Sequence, residues 1–195
     1  MPFVASDLPP VWVEAGPTVM HYTPDKIDTS AGMYHVATTS ADHGLAAAGG
    51  RLRLFVEIDD GWYAGIESDL ASFNGPSLTG SWIARGSTMT MDMPTHGTIE
   101  QGKLVVGKRV MLGRWALGGE LAPGLQVAQY TSLSVPNYVE PWTQSWYVIE
   151  AHGVGSVWIA DRLSLAVEAS ADVVHPGRAQ LAVMIGGHLD NPFAR

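Results

Sequence analysis

Apolar and polar side chains alternate with a period of two in the segment that begins at Arg51 and ends at Ile58. Successive side chains of a β-strand point to opposite faces, so this period predicts a strand with one aliphatic face. That face carries Leu52, Leu54, Val56 and Ile58. In a water-soluble protein the aliphatic face packs against the core, and we expect these four residues to be buried together.

A turn signal follows this strand directly. Asp59, Asp60 and Gly61 end the alternation, and an Asp-Gly step tolerates the positive φ that a tight hairpin turn requires. The chain then returns through residues 62–66 as the second strand of a hairpin. Residues 67–73 are predicted to form a short helix that ends at Asn74, Gly75 and Pro76.

The rest of the chain consists of short segments rich in β-branched and aromatic residues, separated by Gly and Pro. The most regular ones cover residues 144–151, 156–169 and 178–187. Many short strands with turn residues between them are typical of a sandwich or a barrel. We predict an all-β fold: a single antiparallel β-sandwich or jelly roll over residues 51–195.

The first 50 residues differ in composition. Prolines at positions 2, 9, 10, 17 and 24 are too closely spaced for a long regular element, so residues 1–50 are predicted to form an extended Pro-rich N-terminal arm with loops. Within this arm we predict two short strands, Val11–Glu14 and Met33–Thr38. The arm carries exposed apolar residues that would be suited to contacts with a neighbouring subunit. Phe3, Leu8 and Trp12 are the candidates for such assembly contacts.

Composition and charge narrow the classes of partner. The net charge is −8 and the longest basic cluster is Lys108-Arg109, which argues against nucleic-acid binding. There is no cysteine, and the N-terminus lacks the features of a signal peptide. No apolar run approaches the roughly 20 residues of a membrane helix, so we expect no membrane association.

The sequence contains no recognisable catalytic, cofactor or metal-binding motif. None of the seven histidines pairs with another at a metal-binding spacing, and Gly-x-Ser-x-Gly and Gly-rich phosphate loops are absent. We therefore predict no catalytic residue, no cofactor and no metal, and expect the protein not to be an enzyme. Two carboxylates across a groove would suffice for a glycan-active enzyme, the third alternative, but the sequence pairs no two of them.

Seven tryptophans are numerous for this length. Exposed Trp and Tyr side chains on a β-sheet stack on sugar rings or anchor a protein partner. Trp142 lies between Pro141 and Thr143, shortly after Tyr138, which suggests a loop-borne contact residue. Tyr138, Trp142 and Phe193 complete the predicted assembly contacts.

Two resemblances guide the functional expectation. The segment from Gly155 to Leu165 resembles the closing strand of jelly rolls of the carbohydrate-binding-module type. The general form, with a Pro-rich arm, no cysteine and a short tail over residues 191–195, resembles small virion proteins of phages and other viruses. This likeness implies a capsid, decoration or tail component located in the virion, which associates with itself and other virion proteins. The alternative is a carbohydrate- or receptor-binding module, cytoplasmic or secreted, with a glycan as possible ligand.

Overall fold

The computed structural model describes residues 11–22, 28–31, 34–38, 45–74, 78–84, 87–93, 95–132 and 142–189. These residues form twelve β-strands, and no helix among them is long and apolar enough to cross a membrane. The strands are β1 (Val11–Tyr22), β2 (Asp28–Ala31), β3 (Tyr34–Thr38), β4 (Leu45–Asp59), β5 (Trp62–Asn74), β6 (Leu78–Ala84), β7 (Ser87–Met93), β8 (Thr95–Leu112), β9 (Trp115–Ser132), β10 (Trp142–Ala160), β11 (Leu163–Asp172) and β12 (Ala179–His188).

Eight of these strands close into an antiparallel barrel with the order β1-β12-β11-β10-β9-β8-β5-β4, in which β4 returns to β1. The expectation of a sandwich or jelly roll is wrong, because these eight strands form one closed sheet instead of two sheets packed face to face. The other four strands form a separate sheet of order β2-β3-β6-β7. β2 and β3 lie in the connection between β1 and β4, and β6 and β7 lie in the connection between β5 and β8. The two connections are joined because β3 pairs with β6.

The two ends of the barrel differ. At one end, here called the turn end, tight turns at residues 60–61, 113–114 and 161–162 connect neighbouring strands. Asp60 and Gly61 adopt φ angles of 43° and 77° there, which confirms the predicted hairpin turn. At the opposite loop end, longer connections join β1 to β4, β5 to β8, β9 to β10 and β11 to β12.

Several predicted elements need correction. Residues 67–73 continue β5 in place of the expected short helix, because Glu67 and Asp69 pair across the sheet with both neighbouring strands. The short strand predicted at Val11–Glu14 is longer than expected, since Val11–Tyr22 form β1, which pairs with β4 and β12 as part of the barrel wall. Residues 1–10 lie outside the described residues.

The alternation predicted for β4 is present, but its direction is reversed. Leu52, Leu54, Val56 and Ile58 lie on the outer surface of the barrel, whereas Arg51 and Arg53 are buried inside it. The same holds around the barrel, where the outward positions of all eight strands carry large apolar side chains. Among them are Val13, Leu54, Ile66, Leu104, Leu121, Tyr147, Leu165 and Ile185.

Candidate functional site: the polar interior of the barrel

Charged side chains meet in the middle of the barrel because the inward positions of seven strands carry them at similar height. Each strand places every second side chain inside, and at this height those side chains are acidic or basic instead of apolar. We call this set the charged layer. It consists of Glu14 on β1, Arg51 and Arg53 on β4, Glu67 and Asp69 on β5, Lys103 on β8, Glu120 on β9, Glu150 and His152 on β10, and Glu168 on β11.

Arg51, on β4, contacts side chains of three other strands of the barrel wall. Its Nε lies 2.6 Å from Asp69 Oδ1, and one terminal nitrogen lies 3.2 Å from Glu67 Oε1. The same guanidinium donates to Glu168 on β11 and to Gln180 on β12. Because a buried guanidinium needs acceptors for all its donors, these contacts hold opposite sides of the barrel together.

Arg53 makes the corresponding contacts nearer the turn end. Its Nε lies 3.0 Å from Glu67 Oε2, and one terminal nitrogen lies 2.7 Å from Glu168 Oε2 and 3.1 Å from Glu14 Oε2. The other terminal nitrogen donates to Glu120. Four carboxylates from four strands therefore converge on this one guanidinium.

Lys103 is the third permanent cation of the charged layer. Its Nζ lies 2.8 Å from Glu67 Oε1, 3.0 Å from Asp69 Oδ2 and 2.7 Å from Glu150 Oε2. An ammonium has three donors and no acceptor, so these carboxylates use all of them.

His152 lies among four carboxylates. Its Nδ1 is 3.0 Å from Glu120 Oε2, 3.2 Å from Glu168 Oε1 and 3.9 Å from Glu67 Oε2. Its Nε2 faces the opposite way and lies 3.3 Å from Glu150 Oε2. The imidazole thus lies between Glu150 on one side and the other three carboxylates on the other.

Apolar layers lie on both sides of the charged layer. At the loop end, buried apolar side chains and the half-buried Trp146 pack together. This cluster contains Met20, Tyr22, Leu45, Ala47, Ala71, Phe73, Ile99 and Ala128. At the turn end, Trp12, Phe55, Tyr63, Val105 and Ala122 form a second cluster, from which the Tyr63 hydroxyl donates to Glu120 at 2.6 Å.

A small cavity lies between the charged layer and the loop end. Its wall includes Gln101, Gln126, Gln180 and Glu150, with Arg178 on the loop side. Gln180 Nε2 donates to Glu150 Oε1 at 2.9 Å, so Glu150 belongs both to the cavity wall and to the charged layer. The Arg178 guanidinium lies over the rings of Tyr22 and Trp146, at 4.8 and 4.7 Å from their centroids.

Two groups of side chains have the spacing of metal ligands, and both include His152. One adds Glu67 and Glu150, and the other adds Glu120 and Glu168. Each of these four carboxylates is already paired with Arg51, Arg53 or Lys103, so the existing ion pairs would have to break to admit a metal. The absence of a metal therefore stays a prediction.

The predicted assembly residues do not come together in the described part of the chain. Trp12 is buried in the turn-end cluster against Phe55 and Tyr63, which removes it from any outer contact surface. Trp142 begins β10, where it pairs with Tyr130. Phe3, Leu8, Tyr138 and Phe193 lie outside the described residues.

The residues of the charged layer were not singled out from the sequence, although a signal was present. Arg51 and Arg53 alternate with leucines, and Glu67 and Asp69 alternate with Ile66, Ser68 and Leu70. Charged residues at every second position of a strand whose other positions are apolar indicate a polar face and an apolar face. The polar face is the interior one, so the expectation that the apolar face lies inside is wrong.

Comparisons with known proteins bear on this arrangement. No protein-family model and no curated protein matches the sequence. The outer membrane protein OprG of Pseudomonas aeruginosa aligns with a TM-score of 0.58 at 9% identity, over 94% of this chain and 97% of OprG. Neisserial surface protein A aligns with a TM-score of 0.52 at 7% identity, over 92% and 96% of the two chains. The attachment invasion locus protein Ail of Yersinia pestis aligns with a TM-score of 0.50 at 10% identity, over 93% of this chain and 98% of Ail.

The chain has the fold of the eight-stranded outer-membrane barrels. This finding overturns the resemblance to virion proteins and to jelly rolls of carbohydrate-binding modules. The expected functions, a self-associating virion component or a carbohydrate- or receptor-binding sandwich, are both wrong. The expected partners are wrong as well, because similar solved structures are outer-membrane proteins, which conflicts with virion partners and with the expected absence of membrane association. The same finding conflicts with a virion, cytoplasmic or secreted location.

Proposed function

We propose that the protein spans a lipid bilayer as an outer-membrane-type barrel with a closed interior, and that it is a non-enzymatic membrane anchor for its loop-end connections. The observation that carries this proposal is the reversed polarity of the wall, with apolar side chains outside and paired charges inside. In water such an outer surface would be a large aggregation-prone patch, whereas lipid chains solvate it.

The dimensions of the wall support membrane insertion. A tilted strand needs about 9–11 residues to cross the hydrocarbon core, and the shortest barrel strands, β11 and β12, have 10 residues each. Closing the sheet pairs the backbone amides of the first and last strands, so no strand edge faces lipid. Trp62 and Trp115 lie on the outer surface at the turn end, where aromatic side chains favour the membrane–water interface.

The interior supports an anchor in preference to an open pore. Three successive layers of side chains lie along the barrel: the loop-end cluster, the charged layer and the turn-end cluster. The charged groups pair with one another across the lumen, so they leave little room for a permeant solute. The long connections and the sheet of β2, β3, β6 and β7 emerge at the loop end, the side on which such barrels carry their long extracellular loops.

Site-specific labelling tests the membrane position. The chain has no cysteine, so single-cysteine variants need no further changes. An environment-sensitive fluorophore on Leu104→Cys, at an outward position that is 63% exposed, should be quenched by nitroxide-labelled lipid and protected from aqueous iodide. The same fluorophore on Asp60→Cys, in a tight turn, should be quenched by iodide. Equal iodide quenching at both positions would contradict a membrane-spanning wall.

Conductance measurements test the closed interior. The refolded wild-type barrel in a planar bilayer at neutral pH should show no persistent ohmic conductance, because the charged layer bridges the lumen. A stable open-pore conductance under these conditions would contradict the anchor proposal.

A further inference from the structure

A lysine lies among apolar side chains on the outer wall of the barrel, near the turn end. Lys108 of β8 faces outward between the outward positions of Val106 and Val110. Its Nζ lies 5.3 Å from the centroid of the Trp62 ring and 3.8 Å from Oδ2 of Asp60 in the turn that precedes β5. A long side chain of this kind extends along an apolar surface and keeps its charge at the membrane–water interface. Its pair with Asp60 is exposed to solvent and therefore weak, which leaves the ammonium open to another anion.

A groove begins beside Lys108 on the same surface. Across the sheet, Lys108 is opposite Gly119 of β9, and Gly119 is opposite Gly153 of β10. Both glycines face outward, and an added Cβ would meet nothing within 4 Å at Gly153 and only a backbone oxygen at 4.0 Å at Gly119. The outward neighbours of Gly119 along β9 are Leu117 and Leu121, which are 57% and 56% exposed. These two leucines are the sides of an apolar groove whose floor is backbone.

The groove runs from the turn end toward the middle of the bilayer. Strands of such barrels are tilted, so a row of paired residues that crosses them changes depth in the membrane. Gly153 lies further from the turn at residues 161–162 than Lys108 lies from the turn at residues 113–114. The groove therefore has a cation at its interfacial end and an apolar surface at its deeper end.

We propose that the groove between Leu117 and Leu121 is a binding site for an anionic phospholipid of the leaflet at the turn end. Lys108 binds the phosphate group, because a lysine at the membrane surface attracts anionic lipid. The acyl chain lies over Gly119 and Gly153, where it contacts backbone atoms and both leucines. This inference rests on the proposed membrane-spanning barrel, and it names a lipid that the wall of this barrel selects.

Native mass spectrometry of the refolded chain in a neutral detergent tests the contribution of the charge. Phosphatidylglycerol should bind more tightly than phosphatidylcholine with the same acyl chains, because the choline headgroup carries a cation of its own that offsets its phosphate. Lys108→Gln should weaken phosphatidylglycerol binding about fivefold, the loss expected for one lysine beside an anionic lipid, and leave phosphatidylcholine binding unchanged.

The matched control for the charge is Arg162→Gln, which removes an exposed cation of the turn at residues 161–162, outside the groove. This variant should bind phosphatidylglycerol as the wild type does. Equal losses in Lys108→Gln and Arg162→Gln would show a general attraction between the turn end and anionic lipid, and would refute the site.

A second pair of variants tests the groove itself. Gly153→Val fills the groove and should weaken phosphatidylglycerol binding about fourfold, the equivalent of one buried methylene. Gly187→Val adds the same side chain at an outward glycine of β12, where a Cβ also meets nothing within 4 Å, and should leave binding unchanged. Unchanged binding in Gly153→Val would refute the placement of the acyl chain.

The outcomes separate this inference from the proposed function. A wild type that binds both lipids equally, with the label on Leu104→Cys still quenched by nitroxide-labelled lipid, would refute the lipid site and leave the membrane-spanning wall intact. Quenching of that label by iodide would contradict the membrane-spanning wall itself.

Photocrosslinking of the wild type provides a readout if a variant does not fold. Phosphatidylglycerol with a diazirine group in its acyl chain should crosslink mainly to β9 and β10, around Gly119 and Gly153. An even distribution of crosslinks over the eight barrel strands would refute the site.

Discussion

Arg53 and Leu54 are consecutive residues of β4 that lie on opposite sides of the barrel wall. Arg53 is fully buried among carboxylates, whereas 41% of the surface of Leu54 is exposed on the outside. One peptide unit therefore separates the charged interior from the proposed lipid-facing surface, and this relationship provides the most direct test of the orientation of the wall.

We expect Arg53→Met to lower the free energy of unfolding by about 3–5 kcal/mol, because it leaves buried carboxylates without their cation. Leu54→Phe should change the free energy of unfolding by less than about 1 kcal/mol, because lipid chains adapt to a larger side chain. In a packed protein core the same enlargement would destabilise the fold by about 1–3 kcal/mol. Urea unfolding in lipid vesicles, followed by tryptophan fluorescence, measures both. Equal losses at the two positions would mean that the faces are assigned wrongly.

Gly107 of β8 makes room for the Tyr63–Glu120 hydrogen bond. A Cβ at this position would lie 2.6 Å from Tyr63 Cζ and 2.7 Å from Glu120 Cγ. Gly107→Ala should therefore destabilise the barrel by about 1–3 kcal/mol, the usual effect of overpacking. Gly102 of the same strand is the matched control, because a Cβ there meets nothing within 4 Å. Gly102→Ala should be neutral or stabilise by about 0.4–1 kcal/mol, and a similar loss in both variants would argue against the steric cause.

Two lysines of β8 allow ion pairs in the barrel interior to be compared with an ion pair on its surface. Lys103→Met removes the cation shared by Glu67, Asp69 and Glu150 and should lower the free energy of unfolding by about 3–5 kcal/mol. Lys108 is partly exposed and lies 3.8 Å from the exposed Asp60, so Lys108→Met should have an effect below about 1 kcal/mol. The same unfolding assay compares the two. Similar small effects would show that the interior ion pairs contribute little to stability.

Much of the secondary structure could be predicted from the sequence, but the side of the wall that faces the interior could not. The period of two around Leu52 and Leu54 predicts a strand, and Asp60-Gly61 predicts its turn, because both signals are local. The period stays the same when the inside and outside of a sheet are exchanged. We assumed water outside, and this assumption placed Leu54 in the core and Arg53 on the surface.

The extent of the strands was also misjudged for a physical reason. Gly153 and Gly155 lie between two segments predicted as separate strands, residues 144–151 and 156–169, yet both glycines lie within β10. In this barrel, turn residues inside a strand do not end it, because the neighbouring strands on both sides hold the backbone in register. The charged layer depends on the pairing of residues that are far apart in sequence, such as Arg51 and Glu168, and no local pattern contains that information.

The closure of the barrel has a consequence for the order of folding. Its last seam joins β1 to β12, and at this seam the hydroxyl of Thr18 donates to the carbonyl of Leu181, 163 residues further along the chain. A growing chain can form the hairpins between neighbouring strands early, but β1 has no partner on this side until β12 has been made. Contacts of such long sequence separation are slow to form. The seam is therefore the step at which we expect assembly to be slowest and the unfinished sheet to be most open to pairing with another strand.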